Sequence, residues 1–573
     1  MKTSVIILIL LAGFFSYVNG LPNAFIWDDE DQVVKNTFIR DWANLPLAFA
    51  SSTFHSGGET LVGTFYRPLV TLSYMLNYAV WGLNPTGFHL FQLMVHLGNA
   101  VLVFFLVQRI LANRSVQNSY EIAGLAALVF AIHPANVESV AYIGSTGEVL
   151  CAFLLLLGMT AFVKGSLIGA FSFVFLGLLA KESAVVAFPL LFLYTWLLEP
   201  PKRASYWKLI AGTGAVMALY AFFRLVLARL PSVPSSHAPI SEALFATRLL
   251  TIPYELYSYL KIIFFPVDLS VARHFVVQSA GDVRFWAALP LVLAIIAMCV
   301  WYGWKTTSRH FTFFALWFPI TLAPVLNIVP LEMTIAERWL YVPMIGVLAG
   351  FSMIAVPLLL TLRGRSRSLA YVAVFAIFGL LVARTILRTQ NWKDEMSLYG
   401  NDIKIASRVS PQGSYELDNY YGMALARAGR LGEAGEYFRR SIALQPNWMY
   451  SHNNLGAILE KQGDLAGALE QYKKSVEAGD YYLAYENIGA VLLRQKRYDE
   501  AKGFLGATIR KFPRNSKLKL ELALLYTENI SREPDARRLA TEWTSLALQD
   551  DPLNVQARQL QMMLQDALVP VFR

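Results

Sequence analysis

The sequence predicts an all-α protein in two parts, a polytopic bundle of about eleven transmembrane helices followed by a soluble tetratricopeptide-type α-solenoid. Three observations predict it. Of 573 residues, 55% are hydrophobic and only 16% charged, with mean hydropathy +0.44; soluble domains carry about 25% charged residues, so the deficit points to lipid as solvent. The apolar runs fill residues 4 to 390 and then stop, leaving a remainder rich in Glu, Lys, Arg, Gln and Asn. That remainder repeats with a period of 33 to 34 residues.

A spanning helix needs about twenty apolar residues. The runs 4–20, 88–110, 120–134, 147–163, 166–180, 183–198, 206–229, 285–304, 311–329, 338–361 and 368–388 supply the eleven candidates. The first, which follows Lys2, also fits a cleaved signal peptide, but the acidic motif directly after it favours an uncleaved helix. A twelfth stretch, 248–265, contains Pro253, Glu255 and Lys261. Loop charge decides against its crossing: Arg109/Arg114, Lys164, Lys202/Arg203/Lys208, Lys305/Arg309 and Arg363/Arg365/Arg367 all fall on the cytoplasmic side if 248–265 is interfacial or re-entrant and the N-terminus is cytoplasmic. The bundle with its first external loop 21–87 then occupies 1–390, a connector 391–414, and the repeats lie outside the cytoplasm. Loops 133–147, 230–284 and 330–337 and the Lys181-Glu182 pair share that extracytoplasmic face.

The net charge of +9 is concentrated in the cytoplasmic loops, with no basic face interleaved with aromatics, so the bilayer and not nucleic acid is the expected partner. Cys151 and Cys299 lie in apolar runs and read as packing residues. No metal-ligand spacing, Walker loop, GxSxG, HExxH or CxxC occurs; zinc chemistry and nucleotide-driven transport lose support. No cofactor is expected, and a divalent cation is not indicated.

In the repeats, Gly422, Gly456 and Gly489 are equivalent, as are Ala434, Ala468 and Ala501, then Phe438, Tyr472 and Leu505; Pro446 and Pro513 close two units. Small residues where paired helices touch, a large side chain filling the gap and a terminating proline are the tetratricopeptide signature. The units are 415–448, 449–481 and 482–515, with a degenerate fourth at 516–554 carrying an insertion around Ile530-Ser531-Arg532-Glu533-Pro534, and a C-terminal helix or tail at 555–573. Such solenoids present a concave surface to peptides or partner proteins; a plain spacer is the rival reading.

The outward loops carry the candidate chemistry. Phe25-Ile26-Trp27-Asp28-Asp29-Glu30-Asp31 places carboxylates side by side, so that one keeps a raised pKa, binds a cation or acts as a base, unless it is a solvated acidic loop. Arg67 of Tyr66-Arg67-Pro68-Leu69 heads an apolar stretch, where it can hold phosphate bidentately or snorkel. His89, His96 and Asn99 share a helical face; embedded polar residues are functional candidates by default or helix–helix hydrogen bonds. His133-Pro134-Ala135-Asn136-Val137-Glu138 opens the next loop. Lys181-Glu182 sits between two helices with almost no loop, reading either as a mutually neutralised pair or a lipid-phosphate contact. Glu337-Arg338-Trp339-Leu340-Tyr341-Val342-Pro343 lies at the mouth of a span, with Arg338 a second strong phosphate candidate.

In this order, and continuing through Asn391-Trp392-Lys393-Asp394-Glu395 into the repeats, these motifs resemble the transmembrane and tetratricopeptide-repeat-containing O-mannosyltransferases, in a prokaryotic-type form. The resemblance implies a GT-C glycosyltransferase fold that transfers a mannose-like hexose from a polyprenyl-phosphate donor to a hydroxyl acceptor, Ser or Thr of a protein. It implies Asp28 or Asp29 as the base and Arg67, Lys181 and Arg338 around the donor phosphate, with His89, His96, His133, Glu138, Glu182, Glu337 and Tyr341 as further substrate-site candidates. About four repeats, and an end Val569-Pro570-Val571-Phe572-Arg573 that is no ER retrieval signal, favour a bacterial cytoplasmic membrane over the ER.

A lipid-phosphate sugar carries its own leaving group, which explains why no nucleotide motif is needed. Three rivals remain at this level: a non-enzymatic membrane scaffold, a transporter or flippase, which would need ionisable residues at span centres, and an O-antigen-ligase-like oligosaccharyltransferase using a lipid diphosphate.

Overall fold

The computed structural model describes residues 2–53, 65–113, 116–199, 203–228, 238–409, 414–531, 533–551 and 554–566. Arg114, Lys202, Arg532 and the tail beyond Asp566 lie outside the described residues. The chain folds as two compact units that divide at Ser414. Among the described residues there is no strand, only an isolated bridge between Arg273 and Ile335.

The first unit opens with α1 (Lys2–Tyr17), then α2 (Pro68–Trp81), α3 (Pro85–Ala112), α4 (Ser119–Ile132) and the short α5 (Val137–Ala141). There follow α6 (Thr146–Val163), α7 (Leu167–Ala180), α8 (Ala187–Leu198), α9 (Arg203–Ala221), α10 (Phe245–Phe264), α11 (Val283–Thr306), α12 (Arg309–Leu322), α13 (Pro343–Thr361), α14 (Gly364–Asn391) and the connector helix α15 (Glu395–Val409). All eleven expected spans are helical, yet only seven helices are long and apolar enough to cross a bilayer, or eight if the bent pair Ser119–Ile132 and Pro134–Ala141 counts as one span. Helices α4, α7, α8 and α12 have 14, 14, 12 and 14 residues. At 1.5 Å per residue these reach about 18–21 Å, short of a hydrocarbon core about 30 Å thick. The reason is local: α4 stops at His133-Pro134 and α7 at Lys181, where the chain turns to present polar side chains.

Exposed apolar residues mark the lipid-facing sides. On α11 these include Leu291, Leu293, Ile296, Met298 and Val300, and on α14 Val372, Phe375, Ile377 and Leu380; helices satisfy most of their backbone groups internally, as a bilayer demands, and Pro290 is the interruption within α11. One helix in the first loop was not foreseen: α2 begins on Pro68 and ends at Gly82, whose φ of 58° only glycine adopts freely. Stretch 248–265 is a 20-residue helix, α10, and is not among those apolar enough to cross.

The second unit holds four helix pairs, α16 (Ser414–Arg427) with α17 (Leu431–Leu444), α18 (Met449–Lys461) with α19 (Leu465–Ala478), α20 (Tyr482–Arg494) with α21 (Tyr498–Lys511), and α22 (Ser516–Glu528) with α23 (Ala536–Asp550), closed by α24 (Val555–Asp566). The repeat pattern has a direct steric meaning. A Cβ added to Gly422 would meet Phe438 at 2.7 Å, one on Gly456 would meet Tyr472 at 2.7 Å, and one on Gly489 would meet Leu505 at 2.7 Å. Each glycine is therefore the seat for the large side chain of its own repeat, while Ala434, Ala468 and Ala501 are completely buried between helices.

Glycine also sets the closest approach in the first unit. A Cβ on Gly346 of α13 would lie 2.6 Å from the Phe314 carbonyl oxygen of α12 and 2.8 Å from Trp317, the small-residue contact on which lipid-embedded helices rely. Gly346→Val should therefore destabilise the detergent-purified protein by about 1–3 kcal/mol, the range for overpacking. Thermal unfolding monitored by near-UV circular dichroism checks it; an unchanged midpoint would show that α12 and α13 are not in this contact.

Candidate active site in the membrane unit

Residues 133–148 break the helical run between α4 and α6, and every element of the site is attached to them. Several of its polar groups find partners inside the protein, while Asn136 Oδ1, Ser139 Oγ and Ser145 Oγ are buried without a hydrogen bond. His133 Nδ1 accepts from Ala135 N at 3.2 Å and Nε2 is 2.9 Å from Ile263 O, while Tyr17 Oη donates to His133 O at 3.0 Å. Asn136 Nδ2 donates to Phe130 O at 2.8 Å. Gln92 on α3 donates to Ser139 O and Tyr142 O and accepts from Thr146 Oγ1. Tyr74 Oη lies 3.1 Å from Ile143 O. The imidazole of His133 is thus a fastener of the turn, with both ring nitrogens on backbone groups.

Asp28 and Asp29 take different roles in this setting. Trp27 has φ of 56°, rare for a non-glycine residue. Beyond it, Asp29 is fully buried, its Oδ2 accepting from Ile26 N at 3.1 Å and its Oδ1 from Gly144 N at 2.7 Å. Burial pushes the Asp29 carboxyl well above the usual range, against the pull of these two N–H groups, and the neighbouring charges of Asp28 and Glu30 add to the rise. Asp28 stays half-buried, and its Oδ2 accepts from Tyr142 Oη at 2.9 Å. Tyr142 is stacked between Trp27, with centroids 5.2 Å apart, and the fully buried Trp392, at 5.7 Å. Asp29 therefore welds the first loop to the 142–148 turn, and Asp28 is the less buried of the two carboxylates.

The three cations expected around a phosphate each meet a carboxylate. Arg338 pairs through its guanidinium with Glu138 Oε1 and through its backbone N with Oε2 at 3.0 Å, and the guanidinium stands 5.7 Å from the Trp27 ring. Arg67 holds Glu182 in a fork, at 3.1 and 2.6 Å. Lys181 pairs with Glu148 at the head of α6. Lys181 and Glu182 do not neutralise each other, which corrects that reading: Lys181 is extended, with φ −160° and ψ 138°, so adjacent side chains diverge to opposite neighbours. The turn at Gly147 brings these pairs together, since a Cβ there would lie 3.2 Å from Ala180 O and 4.0 Å from Arg67 Cδ.

Of the remaining candidates, His96 Nδ1 is 2.7 Å from Tyr341 Oη and its Nε2 3.1 Å from Ala131 O, with Asn99 Nδ2 donating to the same tyrosine at 3.1 Å. His89 Nε2 is 3.2 Å from Asn23 O. These side chains clamp helices to one another and to the first loop. Glu337 accepts from Ser270 N, lies 3.3 Å from Arg273 and 3.8 Å from Arg388; burial lifts its carboxyl to about 7 although Arg388 and Arg273 pull it down. Arg388 is completely buried and forks onto Asp402 of α15 at 2.6 and 3.2 Å, while Val271 N donates to Asp402 at 2.8 Å. Sequence reasoning missed Glu148, Tyr142, Arg273, Arg388 and Asp402. Glu148 at the head of a span and Arg388 inside an apolar helix were legible as costly charges; Asp402 carried no local signal. Among the described residues no group of three or more His, Cys, Asp or Glu side chains is placed to hold a metal ion.

A multi-pass helical membrane unit bearing a carboxylate, an aromatic stack and three arginine or lysine pairs on its loops, joined to a helical-repeat solenoid, defines the class. The tetratricopeptide-repeat family model matches residues 448–478. The chain is 25% identical over 456 residues to protein O-mannosyl-transferase F38B6.6 of Caenorhabditis elegans, covering 77% of this chain and 63% of that one. It is 22% identical to Tmtc3 of Drosophila melanogaster (94% and 63%) and 22% identical to TMTC3 of Mus musculus (92% and 59%), both named protein O-mannosyl-transferases. The chain is thus similar to curated proteins named protein O-mannosyl-transferases, and it spans under two thirds of the length of these relatives. Superposition on a chain of the APC/C hetero-tetramer Cut9-Hcn1, at 14% identity over 85% of this chain and 91% of that one, gives a TM-score of only 0.26.

The loop that carries Arg338 is itself braced by a buried acid. Glu255 of α10 accepts from Asn327 Nδ2 at 3.0 Å, and Asn327 also donates to Thr334 O at 2.8 Å. Burial pushes the Glu255 carboxyl to about 8, against the Asn327 hydrogen bond. A carboxyl raised on folding favours the native state while protonated, so this contribution is full below the ordinary glutamate range near 4.5 and is lost as pH rises toward 8. Glu255→Gln, which fixes the neutral form, should remove that decline: chemical unfolding in detergent from pH 5 to 9 is expected to show a flatter stability profile than wild type. Identical slopes would mean Glu255 is charged in the folded protein.

Proposed function

We propose that the chain is an integral membrane glycosyltransferase that moves a mannose-like hexose from a polyprenyl-phosphate donor to a hydroxyl of protein Ser or Thr on the extracytoplasmic face. The repeats capture the acceptor or a partner protein. The observation that carries this reading is the convergence, around residues 142–148, of a half-buried carboxylate, Asp28, with Arg338, Arg67 and Lys181; the names of the homologues agree with it.

In this reading Asp28 takes the proton of the acceptor hydroxyl as its oxygen forms a bond to the anomeric carbon. The bond from that carbon to the phosphate oxygen breaks, and the polyprenyl phosphate departs with the electron pair. Negative charge grows on the leaving phosphate, where Arg338, Arg67 and Lys181 stabilise it by exchanging or sharing their carboxylate partners. Attack opposite the leaving group inverts the anomeric configuration. Tyr142 orients Asp28 through its hydroxyl, and Asp29 positions the turn without touching substrate.

Purified protein given radiolabelled polyprenyl-phosphate mannose and Ser/Thr peptides tests this. Asp28→Asn should lower turnover about 100-fold or more, the contribution of a general base, with the unfolding midpoint unchanged. Asp29→Asn should lower both activity and midpoint, because the amide nitrogen of asparagine cannot accept, leaving the N–H of either Ile26 or Gly144 without its partner. Activity of Asp28→Asn within threefold of wild type would refute the assignment. Transfer only from lipid diphosphates would favour an oligosaccharyltransferase, and retained configuration would exclude direct displacement.

A further inference from the structure

The solenoid, assigned above only the general role of capturing a protein, carries one particular subsite. The first helices of successive pairs, α16, α18, α20 and α22, touch one another, so they line the inner face of the array. Side chains of neighbouring repeats meet there as rungs. Asn454 Nδ2 donates to Asn419 Oδ1 at 3.0 Å, and one repeat later Asn487 Nδ2 donates to Asn453 Oδ1 at 2.9 Å. Counted from Gly422, Gly456, Gly489 and Ala523, the equivalent positions of the next rung are Glu486 and Glu521. Two carboxylates stand where two amides stood.

Their surroundings satisfy only one of them. Glu486 accepts from Asn515 Nδ2 at 2.7 Å and lies 3.0 Å from Lys517 Nζ. Glu521 is 5% exposed, and neither of its carboxylate oxygens receives a hydrogen bond. Its Oε2 is seated against Gly489, where an added Cβ would come within 2.4 Å. The nearest cation, Lys517, is engaged with Glu486. A buried carboxylate without a donor is costly, and such groups are met by a proton or by a positive partner. Burial pushes the Glu521 carboxyl well up, with Lys517 pulling against it and the charge of Glu486 adding to the rise.

We infer that the Glu486–Glu521 rung is a subsite for a cationic side chain, arginine or lysine, presented by a peptide or protein lying along the inner face. A planar guanidinium, with its fork of donors, can bridge two carboxylates at once, and the amide rungs on α16, α18 and α20 offer neutral hydrogen-bonding groups to the flanking backbone. The inference is independent of the chemistry in the membrane unit and holds for a scaffold as well as for an enzyme.

Fluorescence anisotropy on the full-length protein in detergent decides it, using two fluorescein-labelled peptides, Gly-Ser-Asn-Arg-Asn-Ser-Gly and the same peptide with Gln in place of Arg. Wild type should bind the arginine peptide at least tenfold more tightly. In Glu521→Gln, which restores a neutral rung of the same shape, the ratio should fall below threefold while the unfolding midpoint is no lower than wild type. Should that variant misfold, Glu521→Asp, which withdraws the charge by one methylene, should also bring the ratio below threefold. Equal affinity of wild type for the two peptides, including binding of neither, overturns the inference, as does a tenfold preference that survives in a folded variant.

Discussion

Backbone that leaves helical geometry beside a bilayer has no water to hydrogen-bond, so it must find every partner within the protein. Residues 133–148 meet part of that demand through Gln92, Tyr74, His133 and Asp29, drawn from α2, α3, the turn itself and the first loop, while Asn136 ties the turn back to Phe130 O. The site depends on this. Because the turn is fixed from several sides, Tyr142, Gly144 and Glu148 have defined positions, and each of them holds a residue of the proposed chemistry: Asp28, Asp29 and Lys181. The short helices follow from the same constraint, since α4 and α7 end where the chain must turn toward these groups.

Much of this was legible in the sequence. The apolar runs and the glycine-to-aromatic register of the repeats follow from local patterning, and local patterning is what periodicity reports. The motifs at Asp28, Arg67, Lys181 and Arg338 announced themselves because charge at the head of an apolar run is expensive. Partnership was not legible. Lys181 and Glu182 are neighbours in sequence and read as a pair, but extended backbone sends them to Glu148 and Arg67. The split between Asp28 and Asp29 rests on the left-handed turn at Trp27, which no propensity for tryptophan foretells. Asp402 became visible only through contacts with Arg388 and Val271, 14 and 131 residues away.

The pairing of every candidate cation bears on how a phosphate could be held. A buried ion pair gains little net stability over well-packed apolar groups, but losing one partner leaves a charge uncompensated. Arg67, Lys181 and Arg338 are therefore poor choices for stability alone, and reasonable ones for a site that receives a second anion and gives it up again. With Glu182, Glu148 and Glu138 paired to them, these three cations carry little uncompensated charge.

The same reasoning separates the inner and outer parts of the charged cluster. Arg388, Asp402 and Glu337 have no exposure, and Asp402 satisfies its oxygens with Arg388, Val271 N and Asn401. Removing one member would strand a buried charge on the others, and Glu337 Oε2 and Arg388 Nε already lack a hydrogen bond. The network is a fixed base, tying α14, α15 and residues 270–273 to the residue next to Arg338. Arg338 itself keeps some exposure, with an aromatic face on Trp27 and a single carboxylate on Glu138. A rigid buried ring of charge beneath a partly exposed, singly paired arginine is the arrangement expected if the outer cation changes partners during a cycle while the inner ones hold still.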